Sequence, residues 1–400
     1  MEWIDDGGFT SAAGFRAGAA RCGLKQATDD PDVALLVSDG PAAAAGAFTT
    51  NRFAAAPVRW CRHRLPRNDA RGIVVNAGNA NACTGERGER DVLRSAELAG
   101  GLLGCDADQV LVASTGIIGH PLPMDRVETG IHGAADGLDH APDATRAAER
   151  AIMTTDTEPK GCAVRSTLEG TPFVVGGMAK GAGMICPDMA TLLCFVATDA
   201  EVPSDVLEDV VQRVVDSTLN CITVDGDTST NDTLIVLANG TSGARVHGDP
   251  ETAATFEQAL YAVVSELAGR IVADGEGVTR VFEVQVQGAA GYGDARRAAR
   301  AVAGSQLVKC AVHGGDPNWG RIVCALGYSG ADVNPDTTTV SIGGIKVFEA
   351  GAPTGEDASD RMAQPRVDIL VDLGTGDGQA AMLSCDLTEE YVRFNAAYHT

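Results

Sequence analysis

Residues 176–200 read GGMAKGAGMICPDMATLLCFVATDA. An apolar run, Phe173-Val174-Val175, leads into this stretch. A glycine-rich loop follows, and a second apolar strand opens at Thr191 and runs to Ala197. A strand that begins with threonine after a glycine-rich turn invites a particular chemistry. If the peptide bond before Thr191 were cut, the threonine would carry a free α-amine beside its own hydroxyl. Such an amine has an ordinary pKa of roughly 7.7–8.0, so it can serve as base for the alcohol at neutral pH. On pattern alone the plainer reading prevails: Thr191 simply begins a β-strand, where threonine is common.

Outward from this stretch, short β-like runs alternate with helical ones. Asp32–Ser38 (DVALLVS), Gly72–Asn76 (GIVVN) and Gln109–Ser114 (QVLVAS) read as buried strands. A helix is expected from about Glu89 to Leu103, with Val92, Ala96, Ala99 and Leu103 on one face. A second is expected after Ser204 as N-cap, with Val206, Leu207, Val210, Val211, Val214 and Val215 in one stripe. A third long helix covers about Thr252 to Ile271. Beyond it the texture turns β-rich: Phe282, Val284 and Val286 alternate with polar residues, and Val340 to Val347 reads as a hairpin turned at Gly343-Gly344. These patterns predict an α/β or α+β protein with helix-covered sheets and a soft domain boundary near Arg280.

Composition narrows the function. Thirty-one Lys and Arg stand against 54 Asp and Glu, a net charge of −23, which argues against nucleic acid or an anionic membrane as partner. Only five of the cations are lysines: Lys25, Lys160, Lys180, Lys309 and Lys346. An acidic, lysine-poor surface is the pattern of proteins that stay soluble in concentrated salt, where screening removes carboxylate repulsion. The opening MEWIDDGGF has no secretory pattern, and no run of apolar residues is long enough to span a membrane. The 11 cysteines include no CxxC pair, which suits reduced thiols and a cytoplasmic location. There is no HExxH, GxxxxGK[ST] or GxSxG. The acidic loop DGDTSTND, Asp225 to Asp232, has Thr230 and Val236 where a calcium loop needs Gly and Glu, so metal binding is not expected. The seven histidines fall at no ligand spacing, and His313 reads as a structural or supporting residue.

A resemblance decides what pattern leaves open. GAGMICPDMATLLCF is similar to the self-cleavage segment of the ornithine acetyltransferases, where the cut falls between Ala and Thr, here Ala190 and Thr191. Further matches follow in family order along nearly the whole chain: VVNAGNANACTG (Val74 to Gly85), ASTGIIG (Ala113 to Gly119), IMTTDT (Ile152 to Thr157), VDGDTSTND (Val224 to Asp232), DGEG (Asp274 to Gly277), KCAVHGGDPNWGRI (Lys309 to Ile322) and the ending YVRFNAAYHT. Cys186 and Asp188 depart from the pattern, at loop positions that usually hold a small residue and often Asn.

The resemblance implies a layered helix–sheet–sheet–helix fold of the self-processing threonine type, with a smaller C-terminal α/β domain. The implied catalytic domain is residues 1–280 and the closing domain 281–400, with mature chains 1–190 and 191–400. Thr191 is implied as nucleophile in self-cleavage and then in acetyl transfer. Thr115 and Gly116 are implied as the oxyanion hole, and Thr154, Lys180, Thr191, Glu276, Asn395 and Thr400 as substrate-binding residues. The implied reaction is ping-pong: acetyl passes from N2-acetylornithine to Thr191 and then to glutamate, without cofactor or metal. Acetyl-CoA is a second donor in bifunctional members, and the implied assembly is an α2β2 heterotetramer. Two alternatives stand beside this reading. One is an aminopeptidase or amidase on the same self-cleaving fold; the other is an uncleaved amino-acid-binding protein.

Overall fold

The computed structural model describes residues 1–25, 28–186 and 192–397. Ala190, Thr191 and Thr400, three of the implied site residues, lie outside the described residues, as does Asp188.

Nine strands form the larger sheet. Their order is Glu2–Trp3, Lys160–Leu168, Thr171–Lys180, Leu193–Thr198, Thr233–Ala238, Val33–Phe48, Arg67–Asn79 and Val110–Ile117, with Phe15–Ala20 paired beside Val33–Phe48. The neighbours of Leu193–Thr198 set its register: Leu193 is opposite Lys180 in the antiparallel partner and Thr233 in the parallel one. The three strands expected from sequence are all present and longer than their apolar cores, because flanking Gly, Ala and Asn residues join the ladders.

The sheet folds back on itself. The strands carrying Lys180 and Thr115 are five places apart in the order, roughly 24 Å in a flat sheet at about 4.8 Å per strand. Yet Lys180 Nζ is 3.4 Å from Thr115 Oγ1. The long strand Val33–Phe48 carries the bend, since its pairing with Arg67–Asn79 is interrupted between Val37 and Ala42, at Ser38-Asp39-Gly40-Pro41.

Side-chain alternation then sorts the layers. Leu193, Phe195 and Ala197 face one core with Leu35, Ile73 and Val75. Cys194 and Val196 face another, closed by Leu207, Val210, Val211, Val263 and Leu267 of the helices Ser204–Ser217 and Pro250–Ala273. The other half is covered by Gly85–Leu103, Met124–Asp136 and Pro142–Ile152, which contribute Val92, Ala96, Ile131, Ala148 and Ile152. The layers are helices, sheet, sheet and helices, as expected. Each fully buried Val or Leu stabilises by roughly 1.5–3 kcal/mol. Burial of five such residues therefore holds the 14-residue helix Ser204–Ser217, a length marginal in isolation.

A seven-stranded sheet follows, ordered Ala352–Pro353, Ile345–Glu349, Thr339–Ile342, Arg366–Asp372, Val281–Ala289, Gly378–Cys385 and Ile222–Thr223. The hairpin is turned at Gly343 and Gly344 as read, with φ of +55° and +83° that favour glycine. Two readings need correction. The β-rich texture after Arg280 hid three helices, Tyr292–Ala303, Gln306–Gly314 and Trp319–Tyr328, which pack Ala295, Ala299, Val302, Val308, Val312 and Ile322 onto this sheet. The buried face of Tyr292–Ala303 is largely alanine, which gives little apolar contrast, and the other two are short, at nine and ten residues. Ser204 is not a cap: it is the first helical residue, and Pro203 precedes it without a side-chain bond.

Candidate active site

The VVNAGNANACTG block and the end of strand Val110–Ile117 cross at Gly78 and Gly116. Gly116 has φ +129°, and a Cβ there would lie 2.3 Å from the Gly78 carbonyl carbon, so no other residue fits. Buried amides fix this crossing. Ser114 Oγ donates to Asn76 Oδ1 at 2.6 Å, and Asn231 Nδ2 donates to Ala80 O at 2.6 Å and Ser114 O at 2.8 Å. The Asn of the STND segment thereby anchors the strand end carrying Thr115, a buried residue. A backbone N–H at Gly116 and a hydroxyl at Thr115 are the donor types that stabilise a tetrahedral oxyanion.

Lys180 is only 2% exposed, and its ammonium faces Thr115 Oγ1 at 3.4 Å and Asp156 Oδ2 at 4.0 Å. Burial lowers its pKa, while Asp156, Glu276 and Asp232 oppose that fall and Lys160 adds to it. Asp156 organises the neighbourhood. Its Oδ1 accepts from Lys160 Nζ at 2.8 Å and Gly181 N at 2.6 Å, and its Oδ2 accepts from Thr154 N at 3.0 Å. Burial alone would raise the Asp156 carboxyl, but Lys180 and Lys160 together bring it to about 2. Thr154 thus joins the cluster through its backbone.

Glu276 sits across the loop that follows Lys180. Its N–H donates to Ala182 O at 2.9 Å, and its carboxylate lies so close over Gly183 that a Cβ there would meet it at 2.6 Å. Asn395 Nδ2, from the helix Glu389–Ala397, donates to Glu276 Oε2 at 2.8 Å. That helix is tied down at its start: Thr388 Oγ1 donates to Gly277 O at 2.8 Å and accepts from Tyr391 N at 3.1 Å.

Leu192, next in the chain after Thr191, donates its N–H to Asp232 Oδ1 at 3.0 Å. Asp232 is fully buried, which raises its carboxyl well above the ordinary range. The acidic loop therefore serves backbone amides. Asp225, at its other end, accepts from Met184 N at 2.6 Å and Ile185 N at 2.9 Å. No cluster suited to a metal ion occurs among the described residues.

The structure brings together Thr115, Gly116, Thr154 and Lys180, with Glu276 and Asn395 across the loop. Sequence reading left Lys160, Asp156, Asp225, Asp232 and Asp274 without roles, although each stands in or beside a quoted block. Burial of paired charges was the missing signal, and a sequence does not display it. His313 Nδ1 meets Asp386 Oδ2 at 2.9 Å. Cys186 is buried, and its sulfur accepts from Arg300 Nη2 at 3.5 Å.

A folded-over sheet between helix layers, with a threonine–glycine strand end, a buried lysine and carboxylates gathered at one place, defines a layered α/β protein with a buried charged site. The ArgJ family model matches residues 16–400. "Arginine biosynthesis bifunctional protein ArgJ" from Symbiobacterium thermophilum is 47% identical over 405 residues, covering all of both chains. The protein of that name from Dehalococcoides mccartyi is 46% identical and covers all of this chain and 99% of that one. Among solved structures, an ornithine acetyltransferase from Mycobacterium tuberculosis complexed with ornithine is 40% identical, with a TM-score of 0.44 over 46% of this chain and 97% of that one. The chain belongs to the ArgJ family.

Proposed function

We propose that this chain transfers the acetyl group of N2-acetylornithine to glutamate through an ester on Thr191, as a glutamate N-acetyltransferase of arginine biosynthesis. The observation that carries the reading is the meeting of Lys180 and Thr115 at 3.4 Å, where Lys180 is also in register with Leu193, two residues after Thr191.

The precursor is cut first. The Thr191 hydroxyl attacks the Ala190 carbonyl, the peptide C–N bond breaks as the nitrogen takes a proton, and water hydrolyses the ester. This leaves chains 1–190 and 191–400 with a free α-amine on Thr191. In the transfer cycle that amine takes the hydroxyl proton as Thr191 attacks the acetyl carbonyl. The oxyanion is held by the Thr115 hydroxyl and Gly116 N–H; such a donor is typically worth ~10²–10³ in rate. The acetyl C–N bond then breaks, and ornithine leaves with the proton. Glutamate's amine attacks the ester, the C–O bond breaks, and Thr191 recovers its proton.

Lys180 supplies positive charge for the substrate. Glu276 and Asn395, with Thr154 and Thr400, bind the amino-acid portion. Residues 1–280 form the catalytic domain and 281–400 the smaller domain closing it. The enzyme works in the cytoplasm as an α2β2 heterotetramer, with acetyl-CoA a second donor if it shares the bifunctional activity its relatives are named for. Ornithine release from acetylornithine is the test. Release should depend on glutamate and match N-acetylglutamate formed. Release at the same rate into water would make the chain an amidase.

A further inference from the structure

Behind Thr115 two carboxylates and two ammonium groups are packed out of solvent. Asp156 and Lys160 have side chains 0% and 2% exposed, Lys180 3% and Asp274 11%. Lys160 bridges the two acids, at 2.8 Å to Asp156 and 2.5 Å to Asp274. Asp274 in turn accepts from Thr157 N at 3.0 Å and from the Thr157 hydroxyl. The cluster is charge-balanced, and it holds two of the five lysines in a chain with 26 arginines among its 31 cations.

Buried ion pairs rarely add stability over apolar packing, because desolvation offsets attraction. The arrangement of donors suggests another use. Asp156 already accepts from Lys160 and Gly181 N–H at Oδ1 and from Thr154 N–H at Oδ2, all within 3.0 Å. Lys180, the remaining cation, stands off at 4.0 Å. It receives a counter-charge without a short hydrogen bond, and its own N–H is directed at Thr115 Oγ1. A hydroxyl oxygen that accepts from an ammonium keeps its own proton free to donate elsewhere, and such chains polarise one another.

We propose that Asp156, restrained by Lys160, is a positioning residue that holds the Lys180 ammonium against Thr115, and so aims the Thr115 hydroxyl at the reacting carbonyl. Without Lys160, the Asp156 carboxylate would be free to close on Lys180 and draw it from Thr115. Without Asp156, Lys180 would be a buried cation beside Lys160. This proposal rests on the reading that Thr115 and Lys180 serve acetyl transfer.

The charged groups that act on Lys180 are Asp156, Lys160, Glu276 and Asp232, with Lys25 coupled to it at longer range. Because burial already lowers the lysine's pKa and Asp156 opposes this, the two halves of the device make opposite predictions. The experiment is the pH profile of kcat for the self-cleaved enzyme, both chains present, with acetylornithine and glutamate. Asp156→Asn should move the alkaline limb to lower pH and reduce kcat by about tenfold or more, the scale expected of a misplaced catalytic group. Asp156→Glu should restore the limb. Lys160→Met should move the limb to higher pH, because Asp156 then serves Lys180 alone, while kcat still falls. A merely structural role would lower activity without moving the limb in opposite directions. If both variants retain the wild-type limb, the proposal is overturned; if Asp156→Asn does not fold, Lys160→Met alone decides it. Lys180→Met separates the two levels of the argument. Wild-type kinetics in that variant would remove the underlying reading, whereas lost activity with unmoved limbs in the other two would remove only the positioning role.

Discussion

Tyr391 donates its hydroxyl to Asp225 Oδ2 at 3.2 Å, and the same carboxylate holds the amides of Met184 and Ile185. The C-terminal helix and the loop leading toward Thr191 are thus fastened to one partly buried acid. Burial raises the Asp225 carboxyl, opposed by the N–H groups of Asp227 and Met184. One turn beyond Tyr391, Asn395 reaches Glu276.

Tyr391→Phe removes one hydrogen bond and leaves the ring in place. A typical intramolecular hydrogen bond contributes about 0.5–1.5 kcal/mol net, and this one is long at 3.2 Å. The variant should therefore raise KM for acetylornithine and glutamate by roughly two- to tenfold, through looser placement of Asn395. Steady-state kinetics check this, and an unchanged KM for both would detach the helix from substrate binding.

Glu149 predicts a pH dependence of stability. Its carboxylate is buried over Gly161, where a Cβ would come within 1.8 Å of Oε1. Burial raises its pKa from 4.5 to about 7, against the pull of Arg146, Arg270 and Arg150. A raised carboxyl stabilises the fold fully below the unfolded value and loses that contribution as pH rises through the folded one. The rise corresponds to about 3 kcal/mol at most. Glu149→Gln, which cannot ionise, should gain on wild type in Tm between pH 5 and pH 8. A gap that stays constant across that range would contradict the assignment.

Salt should stabilise the protein. Net charge is −23, and the ion pairs on its surface are mostly exposed Arg–carboxylate contacts such as Arg59–Glu89 and Arg94–Glu128. Exposed pairs contribute little, so their screening costs little, while relief of overall repulsion grows as the screening length falls to ~3 Å at 1 M salt. Tm and activity should rise from dilute buffer into molar potassium chloride. Equal stability in dilute buffer would show that the acidity has another cause.

The fold was legible where hydrophobic periodicity is strong. Val206 to Val215 and Val74-Val75 announce themselves, and Gly343-Gly344 marks its hairpin. Alanine-faced helices such as Tyr292–Ala303 did not stand out, since small residues pack closely without raising the apolar contrast. At the site, Thr115, Lys180 and Glu276 were reachable through the family blocks. Physical reading alone found a threonine after a glycine loop and stopped there. Asp156 and Lys160 are four residues apart in sequence, yet Gly181, Asp274 and Lys180 reach them only through tertiary contact, which no local pattern contains.

The acyl-threonine intermediate is the central claim, and intact mass analysis with peptide mapping tests it most directly. Denatured enzyme should resolve into chains 1–190 and 191–400, the second beginning Thr191-Leu192-Leu193. Rapidly quenched after mixing with acetylornithine alone, chain 191–400 should be heavier by one acetyl group mapped to its N-terminal residue, and glutamate should remove it. Thr191→Ala should stay full length and unacetylated. Turnover by a chain that remains uncut, or an acetyl group carried on any residue other than Thr191, would contradict the account.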